Sequence, residues 1–330
     1  MIDQPATPVS SQSDNQADIQ ADIQESPLQR LRSEFLDRAG IQLYIKRDDL
    51  IHPLFGGNKW RKLKYNLLYA KGQNIETLLT FGGAWSNHIH ATAAAGKHFG
   101  FKTIGIIRGE RHEALNPTLA FAESQGMQLH YIDRQQYRKK NDEHFLKELR
   151  QRFGDIYTLP EGGSNQLAIQ GCKEIIPEVN NQLQQHKMVS FDYICCASGT
   201  GATLAGLASS LTADQQAIGF SALKGDFLVD EVATFLQGES KQKDSPRPDL
   251  RPDWRIENRY HFGGYAKASD ELINIIKAFK QQYAVELDVV YTGKMFYGLF
   301  EMIRSAEFRP GSIIIAVHSG GLQGNKGFNL

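Results

Sequence analysis

Short apolar runs with strand character recur at 41–45, 77–81, 103–107, 128–131, 157–159, 193–196, 217–222 and 313–317. Between most of them lie stretches with helical spacing, at 87–99, 117–124, 142–152, 168–184, 203–211, 226–236, 269–283 and 294–305. Strand and helix in alternation constrain the chain to an α/β fold built on open, twisted, mainly parallel sheets flanked by helices. In such sheets ligands bind beyond the carboxyl ends of the strands, so the turns that follow strands are the places to search for function.

The first such region is Gly56-Gly57-Asn58-Lys59, which follows the run at 41–45 and its charged successor Lys46-Arg47-Asp48-Asp49. Apolar residues at Leu63, Leu67 and Leu68 then mark a helix over 59–70, placing Lys59 in its first turn behind two glycines. Unpaired backbone N–H groups and the positive helix end disfavour a protonated amine there, and a free amine can form a Schiff base. The same window also fits a solvated lysine at a helix start. A second turn, Gly82-Gly83-Ala84-Trp85-Ser86-Asn87-His88, opens the next helix; capping explains Ser86 or Asn87 alone but not the triplet after a double glycine. The third, Ser198-Gly199-Thr200-Gly201-Ala202-Thr203, sets glycines and hydroxyls at a helix start in a form suited to phosphate. It is neither a dinucleotide fingerprint, since Leu204 stands where a third glycine is needed, nor a Walker loop. Two further turns, Gly162-Gly163-Ser164-Asn165 and His318-Ser319-Gly320-Gly321, follow later strands. Five such turns fit a single cleft.

Other functions find little support. The 330 residues carry 37 basic and 37 acidic side chains, so the overall balance does not suggest nucleic acid or an anionic membrane. No apolar run approaches the length of a membrane span. His88 and His90 lie two apart on a helix and face different ways, so no metal site is expected. The cysteines, Cys172, Cys195 and Cys196, lack paired spacing, which argues for a reducing, cytoplasmic compartment. Residues 1–26, rich in Gln, Asp, Ser and Ala, are expected to form a disordered tail, in which Ile19 and Ile23 fit at most a weak helix, and Gly238 to Asp253, charged and proline-rich, a long surface loop.

A reactive lysine, a phosphate cradle and a Ser/Asn turn together fit pyridoxal 5′-phosphate (PLP). On these residues, and on Ile45-Lys46-Arg47-Asp48-Asp49 and Tyr291-Thr292-Gly293-Lys294, the chain from about Pro27 onward resembles the PLP enzymes of the tryptophan-synthase-β-like fold (fold type II). Within them it resembles the 1-aminocyclopropane-1-carboxylate (ACC) deaminase and D-cysteine desulfhydrase group. The resemblance implies that Lys59 carries the cofactor and moves protons at Cα, and that Asn87 bonds its phenolic oxygen. Gly199, Thr200, Gly201, Ala202 and Thr203 would hold its phosphate, and Ser319 would face its pyridine nitrogen. Ser86, Asn87, His88, Tyr265 and Tyr291 would line the substrate, with Ser86 and Tyr291 joining Lys59 in catalysis. Ser86-Asn87-His88 and Tyr291-Thr292-Gly293-Lys294 resemble the desulfhydrase branch, where ACC deaminases carry Ser-Asn-Gln and Tyr-Glu-Gly-Lys. The expected reaction is therefore β-elimination from a small amino acid, giving a 2-oxo acid and ammonia. The alternatives are ACC ring opening, or PLP or phosphate binding without turnover. Trp60, Trp85 and Thr292 are expected to shape specificity. The resemblance also implies a homodimer. Because Lys59 and Ser86 lie early while the phosphate turn and Ser319 lie late, two domains are expected with PLP between them, a large one of 27–55 and 177–330 and a small one of 56–176.

Overall fold

A computed structural model describes residue 19, residues 23–240 and residues 253–328. Among the described residues ten strands form two sheets. The larger uses β1 (Leu28–Leu31), β2 (Gln42–Lys46), β7 (Tyr193–Ser198), β8 (Gln216–Ser221), β9 (Asp253–Glu257) and β10 (Ile313–Val317), in the order β1-β2-β10-β7-β8-β9. All neighbours are parallel except β1 with β2. The smaller is fully parallel, β5-β4-β3-β6, from β3 (Thr77–Gly82), β4 (Lys102–Arg108), β5 (Gln128–Ile132) and β6 (Tyr157–Leu159). The expected fold class is the one observed.

The central strands of the larger sheet read as near-continuous apolar runs because both faces are covered. Leu43, Ile45, Cys195, Ile314 and Ala316 face one core with the helices Asp270–Tyr283 and Thr292–Arg304. Their neighbours Tyr44, Ile194, Cys196, Ile315 and Val317 face the opposite core with Ile175–Gln185 and Ala202–Ala208. The single helix expected over 168–184 is two, Gln166–Lys173 and Ile175–Gln185. Pro177 has no N–H to offer the Lys173 carbonyl, so the ladder cannot run through.

Two strands and two α-helices escape the sequence reading: β1, β9, Glu34–Ala39 and Arg134–Arg138. The loop expected over 238–253 is structured at both ends, because a helix runs to Ser240 and β9 starts at Asp253; residues 241–252 lie outside the described residues.

The tail expected over residues 1–26 is corrected at its end; residues 1–18 and 20–22 lie outside the described residues. Ile19 is buried in the core with Ile51, Phe55, Trp60 and Leu63. Ser26 is buried, its hydroxyl donates to Asp48 Oδ1 at 2.5 Å, and its carbonyl accepts from the buried Lys46 ammonium. Deleting residues 1–26 should therefore cost roughly 2–4 kcal/mol, from lost apolar burial and two lost hydrogen bonds at charged groups. Urea denaturation of the two forms checks this; equal midpoints would show that the segment contributes nothing.

Candidate active site

Because the strands run parallel, every turn singled out above leaves a carboxyl end, and the two sheets bring these ends to one cavity of about 600 Å³. Its wall includes Lys59, Ser86, Asn87, His88, Gly199, Thr200, Gly201, Thr203, Tyr265, Tyr291 and Ser319. Of the residues expected to hold the cofactor or touch the substrate, Ala202 alone stays out of it, fully buried behind the turn.

Lys59 lies in the first turn of the helix Asn58–Gly72. Burial, with the neighbouring Lys62 ammonium, lowers its pKa from the usual 10.5 to about 7, while Asp288 and Cys172 act the other way. Much of this lysine is thus a free amine near neutrality. Its Nζ donates to Asn58 Oδ1 at 3.1 Å, and Asn58 Nδ2 donates to Thr203 Oγ1 at 3.1 Å, tying the amine to the glycine-hydroxyl turn. On its far side the helix is anchored by a buried ion network. Arg61 donates to Asp48 at 3.0 and 3.1 Å and to Glu178 at 2.5 and 2.7 Å, so the charged run after β2 is structural.

Lys62 was not foreseen. Three residues after Lys59, it shares that helix face, which is the signal that could have found it. Its buried ammonium donates to Ser164 Oγ and Thr200 Oγ1, both at 3.0 Å, and to the Gly162 carbonyl at 3.3 Å. It thus joins the third and fourth turns, and burial lowers its pKa.

Ser86 caps its helix, accepting from Ile89 N at 3.3 Å. Asn87 Oδ1 accepts from Gln323 Nε2 at 2.7 Å, which leaves the Asn87 amide N–H groups to donate. His88 is buried. Thr80 Oγ1 gives its proton to the Leu159 carbonyl at 3.0 Å, so it accepts from His88 Nε2 at 2.8 Å. The proton of His88 therefore sits on Nε2, and Nδ1 is a bare acceptor without a partner. Burial and the lysines Lys59 and Lys62 hold its pKa well below 6.5, so the imidazole is neutral.

Ser319 follows β10. The preceding His318 is fully buried, accepts from Gly320 N at 3.2 Å and faces the Glu286 carbonyl at 2.6 Å, fixing the turn. Tyr265 and Tyr291 meet edge to face with ring centres 6.3 Å apart, and burial raises both phenols, so they remain protonated. Lys294 holds the Tyr265 turn by donating to His261 O at 2.9 Å and Gly264 O at 2.7 Å.

Two residues expected to shape the pocket do not reach it. Trp60 packs between Phe55 and Phe99, with ring centres 5.8 Å from each, because the residue after Lys59 is turned about 100° around the helix. Thr292 is fully buried and its hydroxyl donates to Asp288 Oδ1 at 2.7 Å. Asp288 also accepts from the backbone N–H groups of Val290, Tyr291 and Thr292, so the pair closes the loop before the helix Thr292–Arg304. Trp85 does line the wall.

Comparison with known proteins gives a consistent result. The family model for pyridoxal-phosphate dependent enzymes matches residues 19–320. The bifunctional D-cysteine desulfhydrase/1-aminocyclopropane-1-carboxylate deaminase of Arabidopsis thaliana, a mitochondrial protein, is 33% identical over 302 residues, 86% of this chain and 73% of that one. The D-cysteine desulfhydrase of Serratia proteamaculans is 28% identical, over 90% of this chain and 91% of its own. A solved structure described as an ACC deaminase homologue superposes with a TM-score of 0.78 at 29% identity, covering 94% of this chain and 96% of the other.

Proposed function

This chain belongs to the pyridoxal-phosphate dependent enzymes, and we propose that it removes the β-substituent of a small amino acid, in the manner of a D-cysteine desulfhydrase, releasing a 2-oxo acid and ammonia. The observation that carries this reading is the Lys59 amine, held near a pKa of 7 and tied through Asn58 to the Ser198–Thr203 turn, with Ser319 on the same wall.

The residues fit the cofactor. A side chain at Gly199 would put its Cβ 3.1 Å from the Tyr291 ring, so glycine there keeps the cradle open. The hydroxyls of Thr200 and Thr203, the turn's N–H groups and the Lys62 ammonium supply the donors a phosphate needs. Asn87, oriented by Gln323, offers N–H to the phenolic oxygen, and Ser319 offers a hydroxyl to the ring nitrogen. Bound there, the cofactor supplies an aldehyde that takes the substrate amine and a ring that draws electrons from Cα.

The chain's own groups do the rest. Lys59 takes the Cα proton, which a free amine near neutrality can do. The Ser86 hydroxyl and the helix start behind it receive the substrate carboxylate. Neutral His88 offers an acceptor, not a positive charge. Tyr291, kept protonated, lends its hydroxyl proton to the departing group, and Tyr265 closes the wall beside it. Among the described residues, Asp288 is the carboxylate beside the Ser319–Gly321 turn; it does not line the cavity, and Val290, Tyr291 and Thr292 take up its oxygens by hydrogen bonds. Ser319 alone does not keep the ring protonated, and a weaker electron sink suits a good leaving group at Cβ better than a carbon–carbon bond. ACC ring opening is the second reading, favoured by the relatives' names.

We further propose a homodimer in the cytoplasm, for which the three free, buried cysteines suit a reducing compartment. The domain limits proposed are 27–55 with 177–330 for the larger and 56–176 for the smaller. Release of 2-oxo acid from both enantiomers of cysteine and β-chloroalanine, and from ACC, tests the reaction. D-Cysteine or β-chloro-D-alanine should turn over and ACC should be cleaved at least roughly tenfold more slowly. Fast ACC cleavage would move the chain to the other branch, and no product from any compound would leave only cofactor binding.

A further inference from the structure

The cavity wall carries, at Arg108, a feature that the elimination chemistry does not use. β4 ends at Arg108, beside the end of β3, and its guanidinium lies over the backbone that leads to Ser86. A Cβ at Gly83 would sit 3.4 Å from Arg108 Nη2. The guanidinium carbon is 5.5 Å from the centre of the Tyr137 ring, whose hydroxyl donates to Glu161 Oε1 at 2.9 Å. Lys140 occupies the other oxygen of Glu161, at 3.4 Å. Both oxygens of the nearest wall carboxylate are therefore engaged. Among the described residues Arg108 has no carboxylate partner.

The charges of the other cations in the wall are accounted for. Lys140 is neutralised by Glu161, while Lys59 and Lys62 are both pushed towards the free amine by burial. The remaining wall carboxylate, Glu231, lies next to Gly201 and makes no ion pair with Arg108. A guanidinium remains charged at every working pH and presents a planar fork. Its place over the Tyr137 ring, 5.5 Å from the centre, holds that fork near the wall without a protein anion.

We propose that Arg108 is the distal anion subsite of this cavity, so that the preferred substrates are α-amino acids whose β-substituent ends in a carboxylate or a comparable anionic group. The proposal rests on the elimination reading above and narrows it. The amino end of the substrate is directed to Lys59, its carboxylate to the Ser86 turn, and its far end to the guanidinium beyond Gly83. A bidentate charge-assisted pair there discriminates between an anion and a neutral group of the same shape.

Two thioethers of equal size make the test: S-carboxymethylcysteine and S-carbamoylmethylcysteine, each as both enantiomers, with the cofactor-loaded enzyme. Elimination removes the Cα proton, and the Cβ–S electron pair leaves with the thiolate. Water then enters and ammonia departs, giving pyruvate and mercaptoacetate or its amide. The wild type should favour the anionic compound by about tenfold in kcat/KM, with the preference shrinking as salt is added. In Arg108→Gln the ratio should fall to near one. Lys102→Gln, which removes the same charge at the other end of β4, should leave the ratio at its wild-type value. A wild-type ratio near one, or the same ratio in Arg108→Gln as in wild type, would overturn the subsite. If neither thioether nor β-chloroalanine yields pyruvate, the elimination reading fails on its own. Calorimetric affinities of the two thioethers then decide the subsite: tighter binding of the anionic one, lost in Arg108→Gln, supports it, and equal affinities in the wild type overturn it.

Discussion

Lys59→Ala should lower kcat by roughly 10²–10⁴-fold or more, the range removed with a positioned general acid or base, while the protein still takes up cofactor without a covalent link. The expectation follows from how the wall divides its work. Lys59 is the free amine, whereas the groups placed to hold a phosphate, Lys62, Thr200 and Ser164, are bonded to one another and do not depend on it. Stopped-flow measurement of product release and titration of the variant with cofactor separate the two effects. Full turnover in the variant would pass the role to Lys62, the buried lysine on the same helix face.

Gly57→Ala should combine a loss of stability of roughly 3 kcal/mol or more with a fall in turnover, the strain at this backbone conformation being only part of the cost. Gly57 has φ of +71°, and a Cβ on it would lie 2.1 Å from the Ser319 carbonyl oxygen. Neither partner can yield locally. Gly57 N donates to Asp48 O at 2.7 Å, and Asn58 N donates to Ser319 O at 3.2 Å, so backbone bonds pin the loop of Lys59 onto the turn of Ser319. A methyl group drives apart the two segments that supply the amine and the ring-nitrogen partner. Gly72→Ala is the control, since a Cβ there meets nothing within 4 Å and should be neutral or slightly stabilising. Thermal unfolding and kcat of the two variants check this; wild-type values for Gly57→Ala would contradict the contact.

The sequence was most legible where strands are buried on both faces and least legible at sheet edges. Ile313-Ile314-Ile315-Ala316-Val317 can be little but an inner parallel strand. β1 and β9, the two ends of the larger sheet, read Leu-Gln-Arg-Leu and Asp-Trp-Arg-Ile-Glu, and their exposed sides carry polar residues that hide them. The site was legible because each turn follows a strand and a parallel sheet collects such turns at one edge. What failed was adjacency. Trp60 was placed in the pocket because it follows Lys59, but on a helix the next residue points elsewhere, and Lys62 has the shared face. Thr292 was read by its neighbour Tyr291, although its hydroxyl had a closer use in fixing Asp288. Ile19 and Ile23, four apart, fit a weak helix in the sequence, but nothing there showed that Ile19 would be buried. Two apolar residues among polar ones are covered only if the fold supplies a surface for them, and here they join the core that contains Ile51, Phe55, Trp60 and Leu63.

The most direct test is to reduce the cofactor-loaded enzyme with borohydride and map the modified peptide by mass spectrometry. Lys59 and Lys62 are three residues apart on one helix face, Lys62 buried and Lys59 partly so, and both are lowered in pKa, so the result is not fixed by access alone. With Lys59 as the free amine and Lys62 committed to Thr200 and Ser164, the reduced cofactor should be found on Lys59; finding it on Lys62, or on neither, would contradict the assignment.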